Sequence, residues 1–251
     1  MTLFNENALT QDAFLGGKLH LWQPRTGYRA GVDPVLLAAA VPAEAGQSVL
    51  ELGCGVGTAI LCLGARVPGL TLTGVERARA YAALATRNGE DALEVIPTDL
   101  ADMPLHVRER QFDHVLANPP YYDRAASRAS TDPAREAAHG EDTPLATWVE
   151  IAAKRLKPKG QAHFIHRAER LPELLSAMPN SLGSVEVLPL VSRAGRAAER
   201  VIVQARKNGR ADFVLHAPLV LHEGVAHEDD RKKDYSPLVH AVLHDGAALQ
   251  Y

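Results

Sequence analysis

The chain reads as an α/β protein built on a doubly wound sheet. Two observations predict it: short apolar runs alternate with helical stretches, and a glycine-rich turn stands where the first buried run gives way to a helix. Its 251 residues, 46% of them hydrophobic, suffice for one large α/β domain and fall short of two. The expected organisation is an N-terminal lid or clamp over residues 1–45 followed by a single body over 46–251.

The elements follow in order. Leu15-Gly16-Gly17-Lys18-Leu19 predicts a tight turn before the extended Leu19-His20-Leu21-Trp22, and a helix is expected over 33–41. The apolar runs at 48–52, 71–75, 93–97, 114–117, 162–165, 185–188 and 201–205 predict the strands. Helices are expected between most of them, over 58–65, 77–88, 144–156 and 168–178. In the helix from 144, Thr143 offers a cap, Pro144 suits the first turn, and Leu145, Trp148, Ala152 and Leu156 share a face. Lys159-Gly160 is expected to end it.

Composition narrows the class of protein. No apolar run approaches the roughly 20 residues of a membrane-spanning helix, and the polar start Met1-Thr2-Leu3-Phe4-Asn5-Glu6-Asn7 does not resemble a secretory leader. A cytoplasmic protein is expected, with Cys54 and Cys62 as reduced thiols. The formal charge of -3 excludes a uniformly basic coat but not local basic patches. His163 and His166, and His240 and His244, have ligand-like spacing, yet no carboxylate or cysteine pattern completes a site. No metal is expected.

The candidate binding site begins at Gly53, Cys54, Gly55 and Gly57, where alternate glycines let a ligand approach the backbone. Glu76 follows about twenty residues later, at the end of the second core strand, where a carboxylate commonly grips ribose hydroxyls. A dinucleotide fingerprint would carry its third glycine or an alanine at position 58, where this chain has Thr58. S-adenosylmethionine is therefore the expected cofactor. Glu51 fits either an acidic cofactor ligand or a buried carboxylate bonded to backbone amides. Asp99 fits either an acceptor for an adenine amino group or a helix cap.

Asn118-Pro119-Pro120-Tyr121 follows the fourth core strand and should lie at the carboxyl end of the sheet beside the glycine turn. The prolines stiffen the loop and leave carbonyl acceptors, to which Asn118 adds a side-chain oxygen. Such a loop suits an NH2 group whose lone pair is delocalised into an adjacent π-system. Acceptors gripping both hydrogens would turn that lone pair toward a sulfonium methyl and stabilise charge growing on nitrogen. Tyr121 would stack on the planar acceptor.

With these motifs the chain is similar to the bacterial tRNA adenine-N6 methyltransferases that modify the adenine next to the anticodon of valine tRNA, a branch of the Asn-Pro-Pro-Tyr amino-methyltransferases. The resemblance runs from about Leu19 almost to the end. It is carried by Gln23-Pro24, Gly27-Tyr28-Arg29-Ala30-Gly31-Val32-Asp33, the glycine turn and the tetrapeptide. It implies a Rossmann-like, mostly parallel sheet of seven strands with an antiparallel last strand, a first segment folded over the cofactor with Asp33 near it, and a tRNA partner. The tetrapeptide also occurs in enzymes that methylate glutamine of release factors or adenine in DNA. Protein glutamine N5-methylation and methylation of DNA or rRNA are accordingly alternatives, as are, from other classes, a nicotinamide oxidoreductase and a noncatalytic RNA-binding protein.

An RNA acceptor needs phosphate contacts near the crevice. Arg193, Arg196, Arg200, Arg206, Lys207 and Arg210 crowd the last long strand, while Arg124, Arg128 and Arg135 follow the tetrapeptide in a long polar loop over 122–142. The charged stretch ahead of Asp234 reads as a solvated turn, and residues 235–249 are expected to pack back on the domain.

Overall fold

A computed structural model describes residues 4–123, 140–141, 143–224 and 234–251. At the start, β1 (Leu9–Phe14) and β2 (Leu19–Pro24) form an antiparallel hairpin closed by a 3-10 turn over Leu15–Gly17. Gly16 adopts φ 66°, and a Cβ there would lie 2.6 Å from the His244 carbonyl oxygen. Only glycine lets the C-terminal segment come so close. Helix α1 (Asp33–Ala40) follows, and residues 34–40 are buried in the core.

The central sheet is then laid down as β3 (Ser48–Leu52), α2 (Thr58–Arg66), β4 (Thr71–Glu76), α3 (Arg79–Gly89), β5 (Leu93–Pro97), α4 (Leu105–Arg108) and β6 (Phe112–Ala117). Two short strands, β7 (Tyr122–Asp123) and β8 (Gly140–Glu141), pair in parallel, followed by α5 (Leu145–Arg155) and β9 (Leu156–Arg167). The chain continues through α6 (Leu171–Ser176), β10 (Leu182–Val191), β11 (Ala198–Lys207), β12 (Val214–Leu215), β13 (Leu219–Val220) and α7 (Pro237–His240).

The sheet order is β12-β10-β11-β9-β6-β3-β4-β5, with β13 also on β10. All seven expected strands are present in it. Neighbours from β5 through β9 pair in parallel, whereas β11 is antiparallel to both β9 and β10. Two hydrophobic clusters cover its faces. Val49, Leu116 and Ile165 share one with α1, α2 and the tail residues Val239, Val242 and Leu249. Leu50, Val115 and Phe164 share the other with Leu145, Trp148, Val149 and Leu174. Tail packing is fastened by the Leu249 amide, which donates to the Ala39 carbonyl at 2.8 Å.

Two local expectations are corrected. Helix α5 begins at Leu145 without a side-chain cap, because Pro144 rather than Thr143 occupies the cap position and has no side-chain acceptor; the Thr143 carbonyl accepts the Trp148 indole N–H at 3.3 Å. Lys159-Gly160 does not separate helix from strand but lies inside β9, where Lys159 takes φ 68° and the β6–β9 register shifts. A Cβ on Gly160 would sit 2.9 Å from the Asp113 carbonyl oxygen, so the pair forms a tight irregularity against β6.

Under α1 and α2, the buried His114 and His163 bond through Nδ1 and Nε2 at 3.3 Å, and His114 Nε2 meets Gln47 Oε1 at 3.0 Å. Gln47 Oε1 is an acceptor, so His114 carries its proton on Nε2 and His163 must donate from its own Nε2. The atom left unpaired, His163 Nδ1, is then a bare lone pair rather than an N–H.

Candidate active site

Sheet register brings the expected site residues to one level. Leu52 on β3 pairs with Val75 on β4 and with Ala117 on β6. Gly53, Glu76 and Asn118, each next along its strand, therefore leave three adjacent strands side by side at their carboxyl ends. This is where open α/β sheets bind ligands.

Gly53, Gly55 and Gly57 all take positive φ (66°, 56° and 87°), so the turn is one that other residues adopt only under strain. A Cβ on Gly53 would strike the Trp148 indole at 2.6 Å, whereas at Gly55 the nearest atom, Tyr28 Cε1, stands at 3.8 Å. Gly53 is thus required by packing, and Gly55 by its backbone conformation. Cys54 is buried with its thiol against Gly74, and burial pushes its pKa well up, so it serves as a packed neutral group.

Both oxygens of Glu76 accept backbone bonds, from Gly55 N–H at 2.9 Å and Ala78 N–H at 2.7 Å. Burial raises its pKa while these bonds oppose the rise. The carboxylate braces the glycine turn. Glu51, only 3% exposed, accepts the Ile60 amide at 3.0 Å near the start of α2. Burial pushes its carboxyl up to about 8. Asp99 caps a 3-10 turn by accepting Ala101 N–H at 3.0 Å, with the Arg77 guanidinium 3.7 Å away.

In the tetrapeptide Pro119 is buried, while Asn118, Pro120 and Tyr121 are partly exposed. The Tyr121 hydroxyl donates to Asp33 Oδ2 at 2.7 Å, and Asp33 Oδ1 is ion-paired with Arg200. Burial and the Asp33 charge raise the Tyr121 pKa, keeping the hydroxyl protonated. Its ring meets the His166 imidazole edge-on, centroids 5.5 Å apart. Asp33 thus stands beside the Asn118–Tyr121 loop.

Of the basic residues, Arg193 is bound to Asp234 at 2.5 Å and to the Gly224 carbonyl, and Arg200 to Asp33, so both are engaged internally. Arg196 is exposed in the β10–β11 turn at the site end. Because Arg200 pairs with Arg167 while Arg206 pairs with Gln161, Arg206, Lys207 and Arg210 lie at the opposite end of the sheet. Arg124, Arg128 and Arg135 lie outside the described residues. Among the described residues no group of His, Cys, Asp or Glu is arranged for a metal, and no helix is long and apolar enough to cross a membrane.

Sequence reasoning assigns Tyr81 no part in the site, names Tyr28 only within the segment that carries the resemblance, and weighs His166 only as a metal ligand. Tyr28 lies over the glycine turn, its amide donating to the Tyr81 hydroxyl at 3.0 Å and its carbonyl accepting from it at 3.2 Å. These contacts span 53 residues and leave no periodicity to read.

Comparison with known proteins gives the class first. The sequence profile of the methyltransferase small domain family matches residues 30–190, and the chain is a methyltransferase belonging to that family. Near-complete relatives carry it further. A protein of Actinobacillus succinogenes named tRNA1(Val) (adenine(37)-N6)-methyltransferase is 30% identical over 203 residues, 78% of this chain and 84% of the relative. A Dickeya chrysanthemi protein of the same name is 25% identical over 95% of each chain. The chain is a member of the family these relatives represent. The crystal structure of a predicted O-methyltransferase from Agrobacterium tumefaciens superposes with a TM-score of 0.70 at 26% identity, over 86% of this chain and 98% of the other.

Proposed function

We propose that the chain transfers the methyl group of S-adenosylmethionine to the exocyclic N6 of an adenine in tRNA, the adenine next to the anticodon of valine tRNA. The observation that carries this reading is the common level of Gly53, Glu76 and Asn118 on three adjacent strands. In this reading the glycine turn on β3 lies one strand spacing, about 4.8 Å, from the amine grip on β6, with Glu76 on β4 two spacings from it. The names of the relatives support the acceptor.

The cofactor would be held by the turn from Gly53 through Gly57, including Cys54 and Gly55, with Glu76 on the ribose and Asp99 toward the adenine. Glu51 would stand nearby as a mostly neutral carboxyl, since burial raises it to about 8, and Asp33 would stand nearby with its charge already engaged by Arg200 and Tyr121. When bound, it supplies an electrophilic methyl on a sulfonium. The covering role expected of residues 1–45 belongs, in this reading, to the hairpin and Tyr28, since residues 34–40 are committed to the core.

This chain's residues act on the acceptor. Asn118 Oδ1 and the Pro119 carbonyl accept the two amine hydrogens, aim the nitrogen lone pair, and stabilise the positive charge that develops as the carbon–nitrogen bond forms. The extra proton then leaves nitrogen for solvent. Tyr121 and Asn118 confine the planar base, while Pro120 stiffens the loop between them. Phosphate contacts come from Arg196 and from Arg124 and Arg128.

The test is incubation of the purified chain with labelled S-adenosylmethionine and either unmodified valine tRNA or a glutamine-bearing release-factor peptide. N6-methyladenosine in digested tRNA is expected. Methylated peptide with unmodified tRNA would overturn the acceptor and leave the chemistry standing.

A further inference from the structure

Arg200, Asp33 and Tyr121 come from three distant parts of the chain: the last long strand, the start of α1 and the end of the catalytic loop. We propose that Asp33 and Arg200 are positioning residues for Tyr121, with Arg200 holding the Asp33 carboxylate and that carboxylate holding the tyrosine hydroxyl. This rests on reading Asn118–Tyr121 as the loop that receives the acceptor.

The geometry leaves the ring little freedom. One Asp33 oxygen is taken by Tyr121 and the other by Arg200, and the Asp33 and Arg200 side chains are only 15% and 24% exposed. On its flank the ring rests edge-on against His166, which is fully buried. His166 Nδ1 accepts the Arg167 amide at 2.8 Å, which places the ring proton on Nε2 and fixes the imidazole in turn. A phenol fastened at its oxygen and braced at its side cannot rotate without breaking a charge-assisted bond. A planar acceptor then meets a wall already in place, so less ordering accompanies binding. Arg200, on this account, spends its charge on Asp33 rather than on an RNA phosphate.

The experiment compares Tyr121→Phe, Asp33→Ala, the double variant, Arg200→Lys and Arg200→Ala. It measures kcat and KM for valine tRNA, separately titrates S-adenosylmethionine, and determines the crystal structure of Asp33→Ala. Tyr121→Phe keeps the ring and should fold even if Asp33→Ala does not. Each of these two single variants should raise the tRNA KM on the order of tenfold, as expected for one lost hydrogen bond of about 1.4 kcal/mol. The double variant should be no worse than Asp33→Ala, cofactor affinity should stay within about twofold in all, and Arg200→Lys should recover most of what Arg200→Ala loses. In the crystal the Tyr121 ring should have left its place. Wild-type kinetics for Tyr121→Phe, multiplicative effects in the double variant, or a loss confined to cofactor affinity in Asp33→Ala would overturn the proposal. If the wild-type chain methylates no tRNA, the acceptor assignment fails instead. The tether is then judged by the crystal structure alone, where an unmoved Tyr121 ring would refute it.

Discussion

Glu51 and Glu76 are both buried carboxyls near the glycine turn, but their bonds differ. Glu76 is braced by the Gly55, Ala78 and Arg77 amides, Glu51 by the Ile60 amide. With little to offset its burial, Glu51 shifts from 4.5 to about 8. A carboxyl whose pKa is higher folded than unfolded stabilises fully below its unfolded value, and that contribution drains as pH rises through the folded value. Stability should therefore fall between pH 6.5 and 8.5 with a slope of at most ~1.4 kcal/mol per pH unit. Burial holds His114 and His166 down to about 4, so their opposite effect belongs below pH 6.5. Urea unfolding midpoints across this range should decline for the wild type and flatten for Glu51→Gln; parallel curves would refute the assignment. At this scale the sequence was uneven. Glu76 was legible because its distance from the glycines is set by one helix and one strand, while Glu51 and Asp99 were each left with two readings. The Ile60 and Ala101 amides bond to them as the structural reading of each expected.

The elements were more legible than their ends. Seven apolar runs became seven strands because a strand buried on both faces must be apolar throughout, and that shows without any partner in view. The hairpin strand β1 and the edge strands β12 and β13 escaped notice. Thr10, Gln11 and Asp12 make β1 polar, and β12 and β13 are two residues each. The bulge at Lys159-Gly160 was misread because Lys-Gly serves a helix end and a strand irregularity equally. The glycine turn offers a test of packing at this level. Gly53→Ala must accept both a left-handed φ of 66° and an indole carbon 2.6 Å from its new Cβ, on a Trp148 ring only 7% exposed. It should destabilise the fold by roughly 1–3 kcal/mol, as overpacking in a rigid core does. Gly55→Ala, with its nearest atom at 3.8 Å, should suffer from backbone strain alone. Equal losses in chemical denaturation would show that the indole yields and that packing does not require Gly53.

Across the whole molecule, the doubly wound topology decides which residues meet, and it divides the basic segment that sequence alone treats as one patch. Arg196 stands at the site end of the sheet, Arg206 and Arg210 at the far end. Arg196→Ala should weaken tRNA binding and lower the slope of log affinity against log salt by about 1, whereas Arg206→Ala and Arg210→Ala should change neither. Equal effects at both ends would put the RNA on a different face. The same topology sets Asn118 beside Gly53, and the central claim is that Asn118 acts where charge develops on the acceptor nitrogen. The most direct test is the single-turnover rate of methyl transfer to valine tRNA at saturating RNA, for wild type and Asn118→Ala, with S-adenosylmethionine affinity titrated alongside. The account predicts a rate lower on the order of 10²–10³-fold with cofactor affinity little changed. Near-normal transfer by Asn118→Ala would contradict it.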